Sequence, residues 1–183
     1  MDRRRKGRLA LTNEIDRARR GDGRFVLAFV DVDGLKQVND RDGHAAGDHV
    51  LRTLAATLRS NLRSFDPIVR YGGDEFVCGL GGVDPEGVER RFRAIEQELQ
   101  EAVGVGITVG LASLLPSDTL DNLISRADAD LLEGKRRRDE PSGEVRRRVR
   151  QAVAPVDRHL ADGAERASVA AHDRGGAGRG HAG

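Results

Sequence analysis

An α+β domain, with helices layered on a mixed central sheet that includes one tight antiparallel hairpin, is the fold class the sequence predicts. Three observations carry it. The apolar run Phe25 to Val30 is too short for a typical helix and rich in β-formers, so it reads as a buried central strand. Two short apolar stretches, Pro67 to Tyr71 and Glu75 to Leu80, flank Gly72-Gly73 as the arms of a hairpin flank its turn. Between and after these strands, apolar residues recur at helical spacing.

Taken in order, Asp2 to Arg20 reads as a helix with Leu9, Leu11 and Ile15 among many charges, stopped by Gly21-Asp22-Gly23. The central strand ends in Asp31-Val32-Asp33-Gly34. A short helix carrying Leu35 and Val38 stops at Gly43, and a longer one follows Gly47, with Val50, Leu51, Leu54, Ala55 and Leu58 on one face. After the hairpin, Pro85 to Val103 is a helix with a wide charged face, and Val105 to Leu111 is a strand. Leu120 to about Arg138 is a last helix with Leu123, Ile124, Ala127 and Leu131 on one side.

The 183 residues suffice for one ordinary domain and a short extension, divided as 1–140 and 141–183. The extension is rich in Arg, Ala and Gly and is expected to be partly helical near Val145 to Leu160 and disordered beyond Asp162. Lys+Arg is 31 against 30 Asp+Glu, a balance that argues against a dedicated nucleic-acid binder; the Arg136-Arg137-Arg138 and Arg146-Arg147-Arg148 runs read as solvated charge. The single Cys78 excludes an internal disulfide and a cysteine-built zinc site, and reads as core packing. No apolar run reaches the ~18 residues of a membrane span, and no apolar segment follows the basic N-terminus as in a signal peptide. The expectation is a cytoplasmic domain.

The chemistry-bearing feature is acidic. Asp31 and Asp33 stand where the buried strand ends; Asp74 and Glu75 follow the two glycines. If the two strands are neighbours, these carboxylates converge at one edge and repel unless a cation sits between them. Oxygen ligands without a His/Cys cluster point to magnesium or manganese. Gly72 and Gly73 have no Cβ, so a phosphate can approach the turn closely.

The segment Arg70-Tyr71-Gly72-Gly73-Asp74-Glu75-Phe76 resembles the signature of the GGDEF family, the diguanylate cyclases. The likeness extends to Phe29-Val30-Asp31-Val32-Asp33-Gly34-Leu35-Lys36-Gln37-Val38-Asn39-Asp40, to Gly43-His44-Ala45-Ala46-Gly47-Asp48, to Thr108-Val109-Gly110-Leu111-Ala112 and to Ala127-Asp128-Ala129-Asp130-Leu131-Leu132-Glu133-Gly134-Lys135. It covers roughly Arg3 to Arg138.

The resemblance implies a palm-like nucleotidyl-cyclase sandwich and the condensation of two GTP into cyclic di-GMP with loss of pyrophosphate. It implies that Asp31, the Val32 carbonyl and Asp74 hold magnesium or manganese, that Glu75 supports metal and phosphates, and that Asp74 and Lys36 take part in catalysis. Asn39 and Asp48, with His44 nearby, would read the guanine edge, and Lys36 and Lys135 would face the triphosphate. Arg63-Ser64-Phe65-Asp66 matches the family's product-inhibition site, where Arg63 and Asp66 would hold cyclic di-GMP. Each domain binds one GTP, so a homodimer is implied, and a separate sensory partner is a candidate input.

The chain departs from the family in several places. The opening Asp-x-Leu-Thr-Gly-Leu-x-Asn-Arg motif is absent, so the chain is expected to start inside the domain's first helix. Gly34 and Asp42 stand where aromatics are usual, and Leu132 replaces a Tyr. After Lys135 the family's Gly-Arg-Asn gives way to Arg136-Arg137-Arg138-Asp139, with Arg138 the candidate to replace the phosphate-binding Arg. These departures keep open an alternative, a catalytically weak module that binds cyclic di-GMP or a partner.

Overall fold

The structure, a computed structural model, describes residues 3–21 and 23–139. All of these lie in one unit of the chain, Met1–Val153; the expected helical stretch and tail beyond residue 140 lie outside the described residues. The elements are α1 (Arg3–Arg20), β1 (Phe25–Val32), α2 (Leu35–Asp42), α3 (His44–Asn61), β2 (Ile68–Arg70), β3 (Glu75–Gly81), α4 (Pro85–Val103), β4 (Ile107–Ser113) and α5 (Leu120–Asp139).

The four strands lie in the order β2-β3-β1-β4, and every neighbouring pair is antiparallel. The α+β class is as expected, but the mixed sheet is not. The helical crossovers do join parallel strands, β1 to β2 and β3 to β4. However, β3 lies between the first pair and β1 between the second, so no parallel neighbours meet in the sheet.

β1 is buried along its whole length, as a central strand covered on both faces must be. The two-residue alternation splits its side chains between two cores. Val26, Ala28, Val30 and Val32 pack with Leu54 and Leu58 of α3 and Phe92, Ile95 and Leu99 of α4. Phe25, Leu27 and Phe29 pack with Leu11 and Ile15 of α1 and Leu123, Ala127 and Leu131 of α5. Leu9, grouped with Leu11 and Ile15 in the sequence, is exposed. The domain is thus a three-layer sandwich, with α1 and α5 over one face of the sheet and α3 and α4 over the other.

Local chemistry sets the element ends. The Asp84 side chain accepts from the Gly87 N–H and Pro85 fills the first helical turn, so α4 starts where the sequence predicts. Gly43, at φ 84°, breaks the chain between α2 and α3. The longer helix therefore starts at His44 rather than after Gly47. Gly47 lies within it, where a Cβ would come 2.0 Å from Asn39 Oδ1. α5 is pressed onto β4 more closely than side chains allow: a Cβ on Gly110 would lie 2.0 Å from the Ala127 carbonyl oxygen and 2.3 Å from the Leu131 nitrogen. Asp130 reinforces this contact by accepting from the Leu111 N–H at 2.8 Å.

Candidate active site

β1 and β3 deliver the acidic residues to one sheet edge. Their register pairs Asp31 directly with Glu75, and the Asp74 carbonyl accepts from the Val32 N–H at 3.2 Å. By alternation Asp31 points to the same face as Phe29, toward α5. There Lys135 donates to Asp31 Oδ1 at 2.7 Å. Asp31 is only 6% exposed. Burial pushes its pKa above the ordinary carboxylate value against the pull of Lys135, and Asp74 and Asp33 add to the rise. Glu75 is raised too, by burial first and then by Asp74, Asp31 and Asp128. Asp74 thus stands close enough to Asp31 and Glu75 to raise the pKa of both, with Lys135 beside Asp31.

The Glu75 side chain folds back over the first glycine of the turn. A Cβ on Gly72 would lie 2.2 Å from Glu75 Oε2, whereas one on Gly73 would meet nothing within 4 Å. The Tyr71 and Gly72 N–H groups both donate to the Glu75 carbonyl, at 2.8 and 3.3 Å, and Arg70 donates to the Gly73 carbonyl at 2.7 Å. Tyr71 packs edge-on against Phe29, with the Arg4 guanidinium 4.4 Å from its ring centre. The turn is therefore braced from below and open on its outer side at Gly73.

A divalent cation fits this donor set. The available groups are hard oxygens, mutually repelling and partly desolvated. Among the described residues no three His, Cys, Asp or Glu side chains converge on one point. A hard divalent cation needs only one or two carboxylates when water and phosphate oxygens complete its shell.

The remaining candidates divide into two groups. Lys36 is exposed on the first turn of α2, immediately beyond the Asp31–Gly34 segment. His44 and Asp48 are exposed on the first turns of α3, and Asn39 of α2 lies against Gly47 beside them. Arg63 and Asp66 are elsewhere, on the α3–β2 connection. Arg63 donates to the Gly81 carbonyl at 3.2 Å, at the end of β3 opposite Glu75. Six residues of strand, at about 3.3 Å each, separate the two places by roughly 20 Å. The Arg63 guanidinium stacks 5.7 Å from the exposed Phe65 ring. The Asp66 side chain is turned inward: it accepts from the Arg63 N–H at 2.9 Å and faces Arg91 at 3.8 Å, and burial raises its pKa.

Three residues act at the site on partners that had no signal in the sequence. Arg138 donates to Asp33, to Glu96 at 3.0 Å and to the Ile107 carbonyl at 2.8 Å, so it is bound to protein groups instead of standing free for phosphate. Thr108 donates to the other Asp33 oxygen at 2.6 Å. The negative charge of Asp128, on α5, acts on Glu75 and raises its pKa further. Only the sheet order brings these residues together from three separate parts of the chain.

Comparison with known proteins bears on the family and the fold. The family model for the diguanylate cyclase GGDEF domain matches residues 2–141. The bifunctional diguanylate cyclase/cyclic di-GMP phosphodiesterase MucR of Pseudomonas aeruginosa is 37% identical over 134 residues, which are 68% of this chain and 19% of that protein. The diguanylate cyclase DgcZ of Escherichia coli is 35% identical over 119 residues, 61% of this chain and 40% of that protein. The chain thus spans well under half the length of these relatives. Among solved structures, the diguanylate cyclase SiaD of Pseudomonas aeruginosa, in complex with its activator SiaC, superposes with a TM-score of 0.67 at 34% identity, covering 73% of this chain and 55% of that one. A microbial GGDEF domain studied for its interaction with cyclic di-GMP gives 0.66 at 34% identity, over 73% and 85% of the two chains. With the hairpin, the acidic edge and the antiparallel sheet in place, the match over residues 2–141 makes the chain a member of the GGDEF family.

Proposed function

We propose that this chain is a diguanylate cyclase domain that condenses two GTP into cyclic di-GMP, in the cytoplasm, for second-messenger signalling. The observation that carries the reading is the pairing of Asp31 with Glu75 across β1 and β3, with Asp74 beside them on an open glycine turn. Each ribose 3′ oxygen attacks the α-phosphorus of the other GTP. One P–O bond forms, the bond to the β-phosphate bridging oxygen breaks, and pyrophosphate leaves.

A carboxylate of pKa ~4 cannot alone deprotonate a hydroxyl near ~15.7; the gap corresponds to ~16 kcal/mol at ~1.36 kcal/mol per unit. Asp31, the Val32 carbonyl and Asp74 would hold magnesium or manganese, which when bound lowers that barrier and neutralises phosphate charge. Asp74 is the proton acceptor at the turn, and Glu75 supports the same edge. Lys36 and Lys135 offset charge developing on the phosphates. Gly72 and Gly73 keep the turn low beneath the nucleotide. A domain with one nucleotide site performs half of the reaction, so two chains must face each other.

Asn39, His44 and Asp48 form the base-reading group at the α2–α3 junction. Asp48 accepts the guanine N1–H and N2–H₂, a donor pattern adenine lacks. GTP is therefore expected to exceed ATP by about 100-fold in kcat/KM, and Asp48→Ala to erase most of that preference. Comparable turnover of ATP and GTP by the unaltered chain would contradict the assignment.

Arg63 and Asp66 form the product site, with Asp66 fixing the turn from inside and Arg63 presenting a planar fork outside. At about 20 Å from the acidic edge, bound cyclic di-GMP does not compete with GTP on the same chain; it acts by holding two chains in a non-productive arrangement. Arg63→Ala should weaken inhibition by cyclic di-GMP about tenfold or more, with uninhibited turnover retained. Equal inhibition of both proteins would remove the site. SiaD has an activator, SiaC; a separate sensory partner is the corresponding input proposed for this chain.

We further divide the chain into the cyclase domain, 1–140, and an Arg/Ala/Gly-rich tail, 141–183. One observation favours the second reading, a regulatory module that binds cyclic di-GMP: Arg138 is bound to Asp33 and Glu96 instead of being free for phosphate. Incubation of the purified chain with GTP and magnesium separates the two readings. Cyclic di-GMP forms if the chain is a cyclase, whereas the module binds added cyclic di-GMP and makes none.

A further inference from the structure

The last turn of α5 grips the acidic strand end at two points. Lys135 holds Asp31, and Arg138, three residues on, holds Asp33. Between the two aspartates lies Val32, whose carbonyl belongs to the proposed metal site. Asp33 is held more completely than Asp31. Arg138 takes Oδ2, Thr108 donates to Oδ1 at 2.6 Å, and the Asp33 N–H donates to the Gly106 carbonyl at 3.0 Å. Arg138 is itself fixed by Glu96 of α4 at 3.0 Å and by the Ile107 carbonyl at 2.8 Å.

We propose that Arg138, acting with Thr108 through Asp33, is a positioning residue for the metal site: it keeps Asp33 out of the cation's donor set and sets the direction of the Val32 carbonyl. The physical reason is valence. A free Asp33 carboxylate, two residues from Asp31, would compete for the same cation and pull the backbone between them out of line. With both oxygens occupied by donors from β4 and α5, Asp33 instead becomes a fixed hinge for the segment that carries Val32. Lys135 has a different status, since a single ammonium bond to Asp31 can be exchanged for a cation. Partners that orient metal ligands commonly change metal affinity by ~10–100-fold when removed.

The proposal rests on the cyclase reading of the Asp31–Asp74 edge, and its test separates the two. Mn²⁺ binding is measured by electron paramagnetic resonance on the full chain, with thermal unfolding recorded for each variant. The unaltered chain should bind Mn²⁺, and Asp31→Ala should abolish that binding. Arg138→Ala should weaken it about tenfold or more, with Arg138→Lys recovering part of the loss. Thr108→Val, acting on the other Asp33 oxygen, should shift affinity the same way by a few-fold and gives an independent reading if Arg138→Ala does not fold. Glu96→Gln, which removes one of the partners that fix Arg138 but leaves Arg138, Thr108 and Asp33 in place, should weaken binding clearly less than Arg138→Ala. Arg138→Ala and Thr108→Val proteins that fold and bind Mn²⁺ like the parent would overturn the positioning role while leaving the metal site standing. A loss in Glu96→Gln equal to that in Arg138→Ala would overturn it too, leaving Arg138 as a simple helix anchor. No Mn²⁺ binding by the unaltered chain would remove the metal reading, and this proposal with it.

Discussion

Asp74→Ala is expected to lower cyclic di-GMP synthesis by about 1,000-fold or more while leaving the thermal unfolding midpoint within a few degrees of the parent. The main chain of residue 74, not its side chain, does the structural work: its carbonyl accepts from the Val32 N–H and survives the substitution. The side chain is half-buried at the edge of the turn and lies outside both apolar cores. On the proposed function, the substitution removes an oxygen donor and a proton acceptor for the reaction. Charge stabilisation of this kind is worth several kcal/mol, and each ~1.36 kcal/mol is a decade in rate. Unchanged synthesis by the folded variant would remove Asp74 from the site.

Gly110→Ala acts through packing and should destabilise the domain strongly for a change of one methyl group. The new Cβ would have to share space with the Ala127 carbonyl oxygen at 2.0 Å and the Leu131 nitrogen at 2.3 Å. Both are backbone atoms, so no rotamer change relieves the contact, and α5 must lift from β4. Overpacking costs typically ~1–3 kcal/mol, and this contact belongs at or above the top of that range. The consequence reaches the site, because the displaced helix carries Lys135 and Arg138. A lowered unfolding midpoint accompanied by weaker Mn²⁺ binding is the expected pair of results. A variant as stable as the parent would show that α5 and β4 do not pack this closely in solution.

Much of the fold was legible because local chemistry and tertiary structure agree. The run Phe25 to Val30 is β1, extended by the two residues that lead to the acidic end. Asp84, Pro85 and Gly104 bound α4 at the predicted residues. Agreement failed where a tertiary neighbour decides. Gly47 reads as a helix start, yet it is an interior residue of α3, where a Cβ would meet the Asn39 side chain. β4 begins at Ile107 rather than Val105, because its pairing with Val32 of β1 starts there. Of the strand order only the β2–β3 hairpin pairing was legible; nothing local signals that β3 and β4 flank β1, which makes the sheet antiparallel throughout instead of mixed.

The site divides in the same way. Asp31, Asp74 and Glu75 were legible because strand ends and a glycine turn are local features, and one pairing of strands suffices to join them. Residue type and spacing alone did not separate Asp33 from Asp31, which the family resemblance singled out, and in the structure the two have different partners. Lys135 holds the first, and Arg138 and Thr108 hold the second. Asp66 looked like a surface ligand and is instead an internal support for its own turn, with a side chain only 1% exposed. In each case the residue type was informative and its direction was not, since direction depends on elements distant in the chain.

On the proposed function, two copies of this domain, each presenting one acidic edge, join two GTP molecules. The most direct measurement is cyclic di-GMP formation by the purified chain with GTP and magnesium over a hundredfold range of protein concentration. The expected result is synthesis whose specific activity rises with concentration as chains pair. No cyclic di-GMP at any concentration, or a specific activity that stays flat across the dilution, would contradict it.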